Sequence, residues 1–131
     1  MKLIYLDTCI VIYLIEKHHS HSAKIEFVMK KSVNTKFCYS ALARMETSVM
    51  PIRTNDFQLQ RLYELFFDAQ QQLQITNEVF YNSAKLRADF PSLKTPDAIH
   101  LATAIQYNCD EFWTNDNQLE KIAPNLVKNI L

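Results

Sequence analysis

The sequence predicts an α/β fold in which a central, mainly parallel sheet carries helices on both faces. Short β-type runs alternate with segments whose apolar residues recur at helical spacing, and the first run is apolar at nearly every position. A strand covered on both faces has such a continuous apolar pattern. Strands that alternate with helices are typical of parallel sheets. We therefore expect a three-layer α/β/α domain over residues 1–131.

The first predicted strand and helix enclose an acidic residue. The strand covers Lys2–Leu6, Asp7 follows it, and a helix begins after Thr8. A buried carboxylate is costly unless it is paired or bound to a metal, and ligands of open α/β sheets bind at the carboxyl ends of the strands. Asp7 is therefore a candidate functional residue, although Asp is also a good helix N-cap, so this stretch alone fits either role.

The middle of the chain contributes a second acidic candidate. Glu46 lies in the second turn of a predicted helix, so its side chain points back toward the strand ends. Taken alone, such a residue is usually solvated. The predicted elements here are a helix over Ala23–Lys31, a strand over Lys36–Ser40, a helix over Ala41–Met50 that Ser40 caps and Pro51 ends or kinks, a helix over Asn55–Gln72, a short strand over Leu73–Ile75, and a helix over Asn77–Asp89 that Thr76 caps.

The long predicted helix over residues 55–72 has an apolar stripe that Phe67 widens. Such a stripe is usually a core face, and its alternative is a dimer or partner face. The stripe consists of Leu59, Leu62, Leu65, Phe66 and Ala69.

A third acidic candidate lies at the start of a small, apolar helix. Thr95 is predicted as its N-cap, Pro96 as its first residue and Asp97 as its second, which is a strong helix start. The helix dipole favours negative charge there. His100 lies one turn further on the same face, so it either orients a carboxylate, touches substrate or is a satisfied core histidine.

The carboxyl-terminal segment repeats the arrangement seen at Asp7. A strand over Asp110–Thr114 leads into Asn115 and Asp116, after which a short helix and a last strand over Asn125–Leu131 are predicted. In a parallel sheet, Asp7, Glu46, Asp97 and Asp116 then lie at one edge.

The composition excludes several classes of function. The 131 residues include 14 Lys plus Arg and 14 Asp plus Glu, so no global positive field attracts nucleic acid. The absence of glycine excludes the glycine-rich phosphate and dinucleotide loops. Turns must then use asparagine, and the candidates at element ends are Asn34, Asn55, Asn77, Asn108 and Asn125.

The cysteines and the amino terminus indicate a reduced, cytoplasmic protein. Cys9, Cys38 and Cys109 are widely spaced and odd in number, unlike a disulfide framework or zinc site. The apolar amino terminus contains Asp7 and lacks a cleavage site, so we reject a signal peptide. It is also too short to span a bilayer. The histidines within His18–His21 lack the ligand spacing of zinc sites, and a solvated loop is favoured.

Four carboxylates at one edge repel each other unless a cation lies among them. Two unit charges about 4 Å apart cost roughly 4 kcal/mol at an effective dielectric constant of 20. Oxygen ligands favour Mg²⁺ or Mn²⁺ over zinc. Such ions can activate water and stabilise an in-line displacement at a phosphodiester, and they also remove the electrostatic objection to binding a polyanion at an acidic pocket.

The acidic stretches together carry a resemblance. In chain order they are Ile4–Thr8, Ser40–Glu46, Thr95–Ala104 and Phe112–Asp116, and they resemble the motifs of PIN-domain nucleases of the VapC toxin type. The resemblance covers nearly the whole chain. Each motif alone is weak, whereas four in the matching order are specific.

The resemblance implies a divalent-metal-dependent endoribonuclease from a toxin–antitoxin pair. It also implies a homodimer, and an antitoxin that binds across the active-site groove. By position, Asp7, Glu46, Asp97 and Asp116 match the acidic quartet of the family. Our hypothesis is that Asp7, Asp97 and Asp116 hold Mg²⁺, or Mn²⁺, directly or through water, and that Glu46 completes the metal site and helps to position the attacking water. Thr8 and Thr114 match the hydroxyl positions of the family, which are expected to hold Asp7 or water.

Three rival interpretations remain. A haloacid-dehalogenase-like phosphatase also has an Asp after its first strand but needs a second Asp where this chain has Cys9. A non-catalytic module that binds RNA or protein does not need all four acidic residues. A purely structural protein leaves four carboxylates at element ends without an explanation. Three exposed basic residues are further candidates for phosphate contacts, namely Arg44, Arg87 and Lys94.

Overall fold

The computed structural model describes all 131 residues and has a five-stranded sheet. All four strand pairings are parallel, in the order β3-β2-β1-β4-β5. This confirms the predicted α/β class. The elements are β1 (Lys2–Leu6), α1 (Thr8–Ile15), α2 (Ser22–Lys31), β2 (Thr35–Ser40), α3 (Ala41–Arg53), α4 (Phe57–Ala69), β3 (Gln71–Leu73), α5 (Asn77–Asp89), α6 (Thr95–Gln106), β4 (Glu111–Thr114), α7 (Asn117–Ile122) and β5 (Val127–Asn129).

Two hydrophobic clusters cover the two faces of the sheet, because alternate residues of each strand point to opposite sides. Tyr5 and Phe112 belong to the cluster that includes α6, whereas Ile4 and Trp113 belong to the cluster that includes α1. Helices therefore pack on both faces, as the apolar β1 predicts. No helix is both long and apolar enough to cross a membrane.

Several helix boundaries differ from the sequence prediction. Pro51 does not end α3, which runs on to Arg53, because a proline near a helix end removes only one hydrogen bond. Ser40 makes no capping hydrogen bond, since its hydroxyl is bonded to Tyr5 instead. Helix α6 begins at Thr95, one residue earlier than predicted, with Lys94 as its N-cap.

Asparagines replace glycine at three of the turns. Asn34, Asn55 and Asn108 have φ between 51° and 54°, in the left-handed region that asparagine tolerates better than most residues. Lys17 is the fourth residue with positive φ. Thr76 caps α5 as predicted, with its hydroxyl accepting from the amide of Val79.

The apolar stripe of α4 was only partly predicted. The buried residues of this helix are Tyr63 and Phe67. Leu62 and Leu65 of the predicted stripe are each about half exposed, at 50% and 51%, so the core covers only part of the stripe. The predicted strand at Leu73–Ile75 also lies two residues too late, since β3 covers Gln71–Leu73 and pairs with β2.

Candidate active site

The carboxyl ends of β1 and β4 place Asp7 and Asp116 side by side. The strands are adjacent and parallel, and Asp7 also donates its backbone N–H to the carbonyl of Trp113, 3.0 Å away. The hydroxyl of Thr114 links the two acidic residues. It donates to Asp7 Oδ2 at 2.8 Å and accepts from the backbone N–H of Asp116 at 3.1 Å.

Asp7 is nearly buried, at 8% exposure. Its Oδ1 accepts from the backbone N–H of Thr8 at 2.8 Å. Asp7 is also the N-cap of α1, so capping and a place at the site occur together rather than as alternatives. Asp116 caps α7 through Oδ1, which accepts from the amides of Gln118 and Leu119.

Glu46 is held from two sides by side chains of other elements. The hydroxyl of Thr8 donates to Glu46 Oε1 at 2.7 Å, and His100 Nε2 lies 2.7 Å from the same oxygen. Partial burial acts to raise the pKa of Glu46, but the hydrogen bonds from His100 and Thr8 outweigh it and lower that pKa from its usual value. The carboxylate is therefore fixed in its ionised form.

His100 is almost completely buried and belongs to a chain of hydrogen bonds. Its exposure is 1%. Its Nδ1 lies 2.7 Å from the hydroxyl of Tyr5, which in turn lies 3.0 Å from the hydroxyl of Ser40. Because an ionised Glu46 only accepts, His100 Nε2 must carry a proton. The histidine thus orients a carboxylate, one of the three roles left open by the sequence.

Asp97 is the least satisfied of the four carboxylates. It lies in the first turn of α6, and no hydrogen bond affects the pKa of its carboxyl group. Partial burial and then the charges of Asp7 and Asp116 raise the pKa of Asp97 above its usual value. Glu46 acts in the same direction. The charges of the other three carboxylates therefore all act on Asp97.

The donor set fits a hard divalent cation that retains water. No three His, Cys, Asp or Glu side chains lie close enough together to ligate one ion directly in this conformation. Mg²⁺ keeps several waters and commonly binds proteins through only one or two carboxylates. An ion near Asp97 would also offset the mutual repulsion of these groups. The chemistry of the site thus favours Mg²⁺ or Mn²⁺ over zinc.

Two of the predicted phosphate contacts are engaged within the protein. Arg44 donates to Asp68 at 3.0 Å and to Tyr39 at 2.8 Å. Arg87 donates to the carbonyl of Leu93 at 2.9 Å. Because these guanidinium groups hold neighbouring elements together, the prediction that they bind phosphate is not supported by their contacts, and Lys94 remains exposed beside Asp97.

A nucleophilic role of Cys9 is disfavoured. Burial and then the charge of Asp7 raise the pKa of the Cys9 thiol to about 12. A thiol that stays protonated is a poor nucleophile. Cys38 and Cys109 are buried, and all three cysteines are free. Cys9 packs as a small apolar residue against the cluster that includes α1.

Sequence reasoning missed Tyr5 and Ser40 as parts of the site. A tyrosine in an apolar strand usually finds a partner for its hydroxyl, which was the available signal. The role expected of Thr8 needs one correction. It holds Asp7 through its backbone N–H, but its hydroxyl holds Glu46, because its side chain points toward α3.

The comparison with protein families decides the identification. The sequence profile of the PIN domain matches residues 4–124. The chain belongs to the PIN domain family. The profile includes all four acidic stretches, in agreement with the resemblance drawn from the sequence. Comparison with curated protein sequences finds no match.

Solved structures share the fold of this PIN domain at low sequence identity. A chain of the DNA-bound VapBC complex from Salmonella typhimurium is 17% identical, with a TM-score of 0.82 and all of both chains covered. A toxin–antitoxin complex from Klebsiella pneumoniae is 22% identical, with a TM-score of 0.78 and 98% of each chain covered. VapC20 from Mycobacterium tuberculosis, a sarcin-ricin loop cleaving toxin, is 12% identical, with a TM-score of 0.74 over 92% of this chain and 95% of its own.

The crowded charge at Asp97 leads to a prediction about stability. In EDTA, Asp97→Asn should be at least as stable as the wild type, because the substitution removes a half-buried charge that Asp7 and Asp116 repel. Mg²⁺ at ten times its dissociation constant should stabilise the wild type by about 1.4 kcal/mol, and the variant by less. Urea unfolding with and without Mg²⁺ measures both effects.

Asp89→Asn is the matched control, since Asp89 is exposed at the end of α5. It should respond to Mg²⁺ as the wild type does. Loss of stability by Asp97→Asn in EDTA, together with an unchanged Mg²⁺ response, would contradict the electrostatic account of the site.

Proposed function

We propose that this protein is a divalent-metal-dependent endoribonuclease, the toxin of a type II toxin–antitoxin pair. The observation that carries the proposal is the cluster of four carboxylates around Asp97 in a PIN domain, at the strand ends where α/β proteins bind their ligands. The solved toxin of the same fold that cleaves the sarcin-ricin loop supports RNA as the substrate. The whole chain, residues 1–131, would act as one nuclease domain.

Each acidic residue has a distinct part in this proposal. Asp7, Asp97 and Asp116 would hold Mg²⁺, or Mn²⁺, directly or through water. The ion would lower the pKa of bound water and offset the charge that develops on the phosphodiester. Thr114 fixes the orientation of Asp7, through a hydrogen bond of 2.8 Å. Tying Asp7 to β4 in this way limits its rearrangement when an ion binds.

Glu46 would position the attacking water. The hydrogen bonds from Thr8 and His100 both reach Oε1, so Oε2 remains available for water. These bonds lower the pKa of Glu46. The ionised carboxylate can therefore accept a hydrogen bond from the water. Hydrolysis of this type would leave a 3′-hydroxyl and a 5′-phosphate, as the family resemblance implies.

The proposed partners follow from the same resemblance. Structures with this fold include chains of toxin–antitoxin complexes, which supports a protein antitoxin as the partner of this chain. We also propose a homodimer and a cytoplasmic location. The half-exposed Leu62 and Leu65 on α4 are available to a partner chain.

The direct test is cleavage of mixed cellular RNA by purified, antitoxin-free protein. The wild type should cut RNA with Mg²⁺ or Mn²⁺ and not with EDTA. Asp7→Asn should lose the activity while it stays folded, because it removes the negative charge at the centre of the site. Asp89→Asn should cut as the wild type does.

Binding of RNA without any cleavage would instead support the rival interpretation of a non-catalytic module. Cleavage in EDTA, or full activity of Asp7→Asn, would contradict the proposed chemistry.

The buried His100 leads to a second prediction. Residues that orient a metal-site ligand typically contribute 10–100-fold to activity, so His100→Leu should cut RNA about 10–100-fold more slowly. His100→Gln retains a donor near the position of Nε2 and should recover much of the loss. His100→Asn places its amide nearer Nδ1 and should not recover it. Equal activity of the Gln and Asn variants would mean that His100 only fills space.

A further inference from the structure

Three histidine rings form a stack, and a tyrosine ring packs against it at an angle. The ring of His18 lies between those of His19 and His21, with centroids 4.5 Å and 4.4 Å apart and planes inclined by 21° and 16°. The ring of Tyr13 contacts both His18 and His21, at 4.8 Å and 5.0 Å. None of the four residues belongs to the buried core, and His19 is exposed.

Backbone contacts hold this ring stack in place. His18 Nδ1 accepts from the backbone amides of Ser20 and His21, at 3.1 Å and 3.2 Å. The backbone N–H of His18 donates to the carbonyl of Tyr13 at 2.9 Å. The loop between α1 and α2 is therefore ordered around the imidazole of His18, and its outer ring is presented in a fixed position.

One hydrogen bond ties the ring stack to the acidic cluster. The side-chain amide of Asn115 donates to the hydroxyl of Tyr13 at 2.7 Å. Asn115 lies between Thr114 and Asp116 in the chain, so the stack is anchored one residue away from a carboxylate of the site.

The stacking geometry argues against a metal site. Imidazole lone pairs lie in the ring plane, so nearly parallel rings direct them side by side rather than toward one ion. Nδ1 of His18 already accepts two hydrogen bonds, and no three ligating side chains converge here. Desolvation and then the charges of His21 and His19 lower the pKa of His18, which favours the uncharged form of this imidazole.

We propose that this ring stack is a nucleobase-binding site, which holds one unpaired base of single-stranded RNA next to the scissile phosphodiester. Exposed aromatic rings are the common means by which proteins bind unstacked bases, and His serves in this role alongside Phe, Tyr and Trp. The inference rests on the proposed nuclease function, and it adds the place on this chain where a base of the RNA would bind.

The test measures binding of a short, fluorescently labelled single-stranded RNA by anisotropy, in Ca²⁺ or EDTA to prevent cleavage. Its probes are a mixed-sequence strand, the same strand without bases, and the corresponding duplex. His19→Ala is the informative variant, because His19 is exposed and makes none of the hydrogen bonds that order the loop. Asp89→Asn is the control.

Because a stacked base contributes to affinity, His19→Ala should bind the single strand at least about fivefold more weakly than the wild type. His19→Phe should restore binding, since it keeps a ring. The strand without bases should bind His19→Ala and the wild type equally, and the dependence on salt should not change, because no phosphate contact is lost.

Two results would overturn the inference without affecting the nuclease. One is that the His19→Ala variant still cleaves RNA and binds the single strand as tightly as the wild type does. The other is a reduced salt dependence that His19→Phe fails to restore, which would indicate a cationic phosphate contact. A wild-type protein that neither binds nor cuts RNA would overturn both proposals.

Discussion

The structure depends on the repulsion among four carboxylates that a parallel sheet brings to one edge. Asp7 and Asp116 follow adjacent strands, while Asp97 and Glu46 come from helices that begin at the same edge. Burial and the charges of Asp7 and Asp116 raise the pKa of Asp97. A divalent cation among these groups, as proposed, would offset the repulsion directly.

The surrounding hydrogen bonds fix the orientation of Asp7 and Glu46. Thr114 holds Asp7, and Thr8 and His100 hold Glu46. Tyr5 and Ser40 support His100 from within the core, which satisfies polar groups that would otherwise be buried without partners. The result is a rigid acceptor at Glu46 beside an unsatisfied acceptor at Asp97, and this contrast is what a metal-assisted hydrolase requires of its protein groups.

Much of this arrangement could be predicted from the sequence, because strand periodicity and the residues after each strand are local signals. The apolar β1 indicated a doubly covered sheet, and Asp7 and Asp116 followed from their places after strands. The partners of His100 could not be predicted, since Tyr5 and Glu46 are 95 and 54 residues away in the chain. The exposure of Leu62 and Leu65 could not be predicted either, because helical spacing shows that an apolar stripe exists but not which part of it the core covers.

The most direct test of a divalent-metal site at the carboxylates is to locate the bound ion. A crystal soaked in Mn²⁺ shows the metal by its anomalous scattering. We expect a peak among Asp7, Asp97 and Asp116. At least one carboxylate oxygen should lie within about 2.0–2.6 Å of the peak, which is the range of distances between hard cations and their ligands. A peak at the ring stack of His18, His19 and His21, or no peak at the carboxylates at saturating Mn²⁺, would contradict it.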